Sequence, residues 1–191
     1  MNTIRAFFAI DLPTTLKEKI EKRVKEIALP IDIKYTPTEN MHLTILFLGN
    51  LAMDNLEKIV EIGRKVFENI QPIDFYGTNI SVAPNQNFAR MLWLNLELNQ
   101  EIAKLKRQLE KKLEENGIAF EKEDRALKLH ITLARFKPVK IDWPDIKFPI
   151  HFKATEVCLM ESKLQKPHAV YLPLKKFILG KIEKNKKSEY N

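Results

Sequence analysis

The sequence predicts a mixed helix–strand fold built twice from the same strand–helix–strand unit. Three observations carry that prediction. His42-Leu43-Thr44 and His130-Ile131-Thr132 are near-copies of one another, each inside an apolar run with strand character. Each is preceded by another apolar strand, a helix with 3.6-residue periodicity and a connector. The spacing repeats as well, since 35 residues separate Phe7 from His42 and 38 separate Leu92 from His130. Duplicated halves usually pack about a pseudo-two-fold axis, which would bring the two tripeptides to the middle from opposite sides.

The elements follow in order. Thr3–Ile10 is rich in β-branched and aromatic residues and reads as a strand, ended by Asp11-Leu12-Pro13. Thr15 with Glu18 has the form of a capping box, and Leu16, Ile20, Val24 and Ile27 recur at helical spacing up to Pro30. A short extended piece, Ile31–Tyr35, leads through Thr36-Pro37-Thr38 to the first His-x-Thr strand, closed by Gly49. Asp54 is placed to cap a second helix with Leu56, Val60, Phe67 and Ile70 on its buried side; Gly63 is tolerated inside it at some cost, and Pro72 ends it. Ile73–Ala83 and Ala89–Leu98 read as a hairpin turning at Pro84–Asn87. Asn99 caps a third helix with a stripe of Ile102, Leu105, Leu109 and Leu113, stopped by Asn116-Gly117. A charged connector, Glu121–Arg125, precedes the second His-x-Thr strand, which Lys137-Pro138 closes. Ile141–Ile150, with Pro144 and Pro149, reads as a surface loop, and His151–Glu161 and His168–Leu174 as two more strands joined through Pro167.

With 191 residues, 45% of them hydrophobic, the chain can bury a real core and is most simply one domain over residues 1–180, followed by a Lys-rich tail over 181–191. A net charge of +7 favours an anionic partner, nucleic acid among them. Cys158 is the single cysteine, so an intrachain disulfide and a cysteine metal cage are excluded; it reads as a buried small hydrophobe. The absence of a membrane-length apolar run and of a signal-peptide pattern sets the expectation of a cytoplasmic protein, and a monomer is expected.

In a strand, side chains alternate faces, so the His and Thr of each tripeptide point the same way while Leu43, Ile45 and Phe47, and Ile131 and Leu133, face a core. Each copy therefore presents an imidazole beside a hydroxyl. Two facing imidazoles hold opposite protonation states near neutral pH, which suits in-line displacement at phosphorus, one taking a proton from the attacking oxygen and the other giving one to the leaving oxygen. Thr44 and Thr132 are placed to donate hydrogen bonds to the non-bridging oxygens. No metal and no cofactor is expected: the chain has no His-Glu-x-x-His helix and no carboxylate inside either motif. His151 and His168 lack the motif and read as surface or strand residues; Phe7, Phe8 and Trp93 read as core. Tyr35 and Tyr171 are candidates for stacking on a terminal base, and Arg5, Lys34, Arg90 and Lys137 for holding an RNA backbone. Arg135 either contacts phosphate or forms an ion pair.

The chain resembles the 2H phosphoesterase superfamily and, within it, the RNA 2′,3′-cyclic phosphodiesterases, historically called 2′-5′ RNA ligases. The residues that carry the resemblance are Arg5–Pro13, Asn40–Gly49, Ala89–Leu94 and Leu129–Arg135, with Ser162 and Tyr171 in the closing strands; the interval between those two lacks glycine here. The resemblance implies an α+β fold, bilobal, with two pseudo-symmetric lobes, each an antiparallel sheet backed by helices, and a central cleft lined by the histidines. It further implies hydrolysis of RNA 2′,3′-cyclic phosphate ends, tRNA fragments among them, to 2′-phosphomonoesters, with His42 as proton donor and His130 as proton acceptor. The nearly symmetric motifs do not by themselves assign those two roles. ATP-independent 2′-5′ ligation uses the same groups in reverse. Two other readings stay open on the residues: a non-catalytic RNA-binding module, and a phosphodiesterase for a small cyclic nucleotide.

Overall fold

A computed structural model describes residues 2–27, 31–122, 126–144, 146–166 and 168–180. The first repeat begins with β1 (Thr3–Asp11), α1 (Thr14–Lys25) and a three-residue strand, β2 (Ile33–Tyr35). It ends with β3 (His42–Ala52) and α2 (Leu56–Phe67). The second runs through β4 (Ile73–Ala83), β5 (Ala89–Leu96), α3 (Gln100–Glu115) and β6 (His130–Val139). Three strands close the chain: β7 (Ile146–Ala154), β8 (Glu156–Lys163) and β9 (Val170–Ile178).

The strands form one curled antiparallel sheet in the order β7-β4-β5-β6-β3-β1-β8-β9, with β2 added beside β6. That order is palindromic about the β6–β3 junction. One half is β6-β5-β4-β7 and the other β3-β1-β8-β9, so β1 corresponds to β5 and β3 to β6, as the repeated spacing predicts. The halves meet through a single residue pair, Leu43 opposite Ile131. Beyond that pair β6 turns to β2, with Tyr35 opposite Ala134 and the Thr36 N–H donating to the Leu133 carbonyl at 2.8 Å. The two sheets expected for the two lobes are thus joined at one point and splay apart elsewhere, which opens a cleft.

One face of the sheet buries the helices. Ile20 of α1, Ile59 of α2 and Ile102, Leu105, Leu109 and Leu113 of α3 share a single core with Phe8, Ile10, Leu43, Leu94 and Ile131. Phe8 packs on Phe67 and Phe177 with ring centroids 5.8 and 6.1 Å apart. Asn99 caps α3 as expected, its side-chain oxygen accepting from the N–H groups of Glu101 and Ile102. Gly117 takes φ +66° just past the helix end, the left-handed conformation that glycine adopts without a Cβ clash.

Several local expectations are corrected. Thr15 is inside α1, whose N-cap position is Pro13 without a side-chain cap, so the Thr15–Glu18 box does not form. Asp54 falls in a short 3-10 turn, Met53–Asn55, and caps nothing; α2 ends at Phe67, before Pro72, and buries Ile59 and Ile62, with Leu56, Val60 and Ile70 only half-buried. Gly63 is required and not merely tolerated: a Cβ there would lie 2.6 Å from Cζ of Phe177. Gly49 does not close β3 but sits inside it at φ +71°. Ile146–Ile150 is strand and not loop. Proline removes a ladder donor, and β7 lies at the sheet edge, where Pro149 costs least. His151–Glu161 accordingly splits between β7 and β8. The Lys-rich tail, Pro30, Pro167 and the end of the charged connector lie outside the described residues.

Candidate active site

The cleft is lined from both halves and has a volume of about 540 Å³. His42, His130, Thr44, Thr132, Arg135, Tyr171 and Tyr35 all face it. Leu43 opposite Ile131 fixes how the motifs meet. In an antiparallel pair the register continues in opposite directions, so His42 falls beside Thr132 and His130 beside Thr44 on the face away from the core. Two imidazoles and two hydroxyls thus occupy the corners of one small patch.

Both rings are held alike. Nδ1 of His42 lies 2.7 Å from the Asn40 carbonyl and Nδ1 of His130 lies 2.9 Å from the Lys128 carbonyl, each two residues back along the chain. A carbonyl only accepts, so Nδ1 carries a hydrogen in both rings, and proton exchange with a ligand falls to Nε2. The Asn40 carbonyl is itself placed by a 3-10 turn, Thr38–Asn40, whose Asn40 side-chain amide donates to the Ala169 carbonyl at 2.7 Å.

Around these four residues the halves differ. Opposite His42, Thr44 and Phe47 on β3 stand Asp11, Ala9 and Phe7 of β1. Opposite His130, Thr132 and Arg135 on β6 stand Asn95, Trp93 and Met91 of β5. The His42 ring packs against Phe7 and, edge-on, Tyr171, with centroids 5.0 Å away in both cases. Burial is the main cause that lowers the His42 pKa from its ordinary value. The Asn40 carbonyl and the Asp11 carboxylate oppose it, and Lys17 and the facing His130 reinforce it. Asp11 is paired with Lys17 at 2.6 Å, and Lys17 is itself only 8% exposed. On the other side the His130 ring stacks on the Trp93 indole, centroids 3.7 Å apart and planes 22° from parallel.

Two bulges, at Ile45 in β3 and Leu133 in β6, decide what else enters the cleft. Thr44 pairs with Ala9 but Leu46 with Phe8; Thr132 pairs with Trp93 but Ala134 with Leu92. One extra residue reverses the alternation beyond each threonine. Phe47 therefore lines the cleft, 38% exposed, instead of facing the core, and Arg135 comes round to the histidine face, its guanidinium 3.1 Å from the Met91 sulfur. Trp93 also lines the cleft and is not core; its neighbours Leu92 and Leu94 are fully buried, and that alternation was the available signal. His168 lines the cleft as well, whereas His151 lies far off on β7, 2.8 Å from Asp74.

The cleft is cationic. Arg5, Lys34, Arg90, Lys128 and Arg135 line it, and no Asp or Glu does among the described residues; Lys137 is not part of it. Cys158 is buried, its thiol pushed up to about 11 mainly by desolvation, which leaves it protonated and unreactive at neutral pH. Among the described residues there is no cluster of three His, Cys, Asp or Glu side chains able to hold a metal ion, and no helix long and apolar enough to cross a membrane.

A curled antiparallel sheet carrying paired His-x-Thr strands over a cationic cleft is the architecture of the 2H phosphoesterases. The chain belongs to the AKAP7 2′5′ RNA ligase-like domain family, whose model matches residues 10–171. It is 28% identical over 183 residues to the RNA 2′,3′-cyclic phosphodiesterase of Methanocaldococcus jannaschii, covering 91% of this chain and 100% of that one. A second relative, the RNA 2′,3′-cyclic phosphodiesterase of Archaeoglobus fulgidus, is 28% identical over 143 residues, 75% of this chain and 78% of its own. Among solved structures, TT0787 of Thermus thermophilus superposes with a TM-score of 0.83 at 25% identity over 92% of this chain and 98% of that one. Escherichia coli LigT shares the fold, with a TM-score of 0.79 at 22% identity over 94% and 100% of the two chains.

Proposed function

We propose that this protein hydrolyses the 2′,3′-cyclic phosphate ends of RNA to 2′-phosphomonoesters. The observation that carries the reading is the pair of His-x-Thr motifs on one face, both imidazoles tied through Nδ1 to a backbone carbonyl so that Nε2 serves the cleft. The names of the relatives point to the same chemistry, and a cleft whose described lining has five cationic residues and no carboxylate suits a phosphodiester.

In this mechanism Nε2 of His130 takes a proton from water as its oxygen bonds to phosphorus. The bond from phosphorus to the 3′-oxygen breaks, and Nε2 of His42 gives that oxygen its proton. The 2′-oxygen keeps the phosphate, and the two histidines have exchanged protonation states. Thr44 and Thr132 donate to the non-bridging oxygens, where charge accumulates in the transition state. Arg135 neutralises the phosphate, and Tyr35 and Tyr171 hold the terminal nucleoside. Lowering of the His42 pKa leaves its ring mostly neutral in the empty cleft, so its protonation is coupled to arrival of the anion. The reverse reaction, closing a 2′-5′ bond from a cyclic phosphate and a 5′-hydroxyl, uses the same groups. We assign the protein a monomeric state and a cytoplasmic setting, with RNA fragments such as those of tRNA as substrates.

The test is to incubate the protein, with and without EDTA, with an RNA ending in a 2′,3′-cyclic phosphate and to identify the product isomer. A 2′-phosphate is expected with or without chelator, and His42→Ala and His130→Ala are each expected to lower kcat by about 10²–10⁴-fold. A 3′-phosphate product would reverse the assignment of the leaving oxygen. A fully active His130→Ala protein, or RNA binding without any turnover, would overturn the reading.

A further inference from the structure

The pseudo-symmetry of the cleft is broken most sharply beside the threonines. β1 places Ala9, fully buried, opposite Thr44, and β5 places Trp93 at the corresponding position opposite Thr132. One half thus has a methyl group where the other has an indole. The indole lies flat under the His130 imidazole, centroids 3.7 Å apart and planes at 22°. His42 has no such partner: Phe7 is tilted by 36° and Tyr171 meets it edge-on at 84°. The Trp93 Nε1–H is buried and has no hydrogen-bond partner among the described residues. A buried indole N–H normally finds an acceptor, so the ring here keeps an orientation that its own polar group does not reward. That orientation presents its π face to His130.

From this geometry we infer that Trp93 is a positioning residue for His130: it holds the imidazole in the plane set by the Lys128 carbonyl and stabilises the imidazolium that forms when His130 takes the proton of the attacking water. The inference rests on the phosphodiesterase reading above for the identity of that proton. A cation over an indole face is attracted by the ring quadrupole, and more so away from water. The described cationic residues of the cleft act in the opposite sense. Arg135 on its own strand, Lys128 just before that strand, Arg90 on β5, Lys34 on β2 and His42 across the junction are all cationic or become so, and Asn95 opposite it is neutral. Together with the Lys128 carbonyl that accepts from Nδ1, the Trp93 face favours a positive ring. Where Ala9 stands, the ring that starts with the proton and loses it needs no such support.

The experiment compares Trp93→Phe and Trp93→Leu with the parent in the full chain, by steady-state kinetics on a cyclic-phosphate RNA and by histidine ring NMR against pH. Trp93→Leu is expected to lower kcat about 5–30-fold with KM within about twofold, and Trp93→Phe to recover part of that loss, since a phenyl face retains a weaker quadrupole. The His130 titration is expected to move to lower pH in Trp93→Leu, by less in Trp93→Phe, with the remote His151 unmoved. An unmoved His130 titration in both variants, or a loss confined to KM, overturns the inference. NMR needs no turnover, so an inactive parent protein would refute the phosphodiesterase reading and leave the pairing of Trp93 with His130 separately decided.

Discussion

The charge of the cleft would make the proposed binding of RNA steeply dependent on salt, and the slope can be worked out from its lining. Five cationic residues line it, Arg5, Lys34, Arg90, Lys128 and Arg135, with no carboxylate among the described lining to offset them. If each engages one phosphate of a single strand, the slope of log K against log salt is about −3.5, taking about 0.7 per contact. Between about 50 and 200 mM salt the affinity should then fall by about 100-fold. The perturbation is Arg90→Gln or Lys34→Gln, each of which should flatten the slope by about 0.7 while weakening binding evenly across RNA sequences. The assay is fluorescence anisotropy of a labelled RNA with a cyclic-phosphate end, titrated into His130→Ala protein at several KCl concentrations so that the ligand survives the measurement. A slope near zero, or one that neither substitution changes, would refute the argument that these side chains hold the backbone.

Three further outcomes are expected. The descending alkaline limb of kcat/KM, which reports free enzyme, should begin below the ordinary histidine value of about 6.5 because burial lowers the His42 pKa. The same limb in kcat should lie at higher pH, since a bound phosphate anion favours the imidazolium; coincident limbs in the two pH profiles would contradict this. Thr44→Val and Thr132→Val should each cost kcat about 10²-fold with small effects on KM, measured by steady-state kinetics, if the hydroxyls act chiefly in the transition state. Gly63→Ala should destabilise the fold by about 1–3 kcal/mol through overpacking against Phe177, seen as a lower thermal midpoint with unchanged kinetics at low temperature; an unchanged midpoint would mean that α2 and β9 can separate freely.

The repeat was legible in the sequence because its period lies in residue types: two His-x-Thr tripeptides, each following a strand and an amphipathic helix. Alternation put His and Thr on one face, and one register pair, Leu43 opposite Ile131, brings the two faces together. What alternation missed begins one residue past each threonine. Ile45 and Leu133 are bulged, and a bulge leaves no mark in a run of apolar residues, so strict alternation puts Phe47 on the wrong face and leaves the direction of Arg135 open. The bulges occur at equivalent positions in both halves, which makes them part of the repeat. Trp93 reads as core because aromatic residues in strands usually are, yet the flanking Leu92 and Leu94 occupy that face. Only helix propensity is legible at Gly63, since the ring that fills its missing side chain, Phe177, lies 114 positions away in the sequence. Caps failed at Thr15 and Asp54 for a local reason, as Pro13 and a 3-10 turn set where those helices start.

The order of strands in the sheet also constrains how the molecule comes together. β4, β5, β6 and β7 are contiguous along the chain, and together they make one half of the sheet. The other half takes β1 and β3 from the beginning and β8 and β9 from the end, so it is enclosed around the first like brackets around a phrase. During synthesis the bracketed half can pair completely while β1 still shows an open edge to solvent, and only the last forty or so residues cover it. Tyr171, which packs against His42, arrives on that final segment. A chain halted before β8 would carry both histidines yet lack one wall of the cleft, the one that seats Tyr171 against His42.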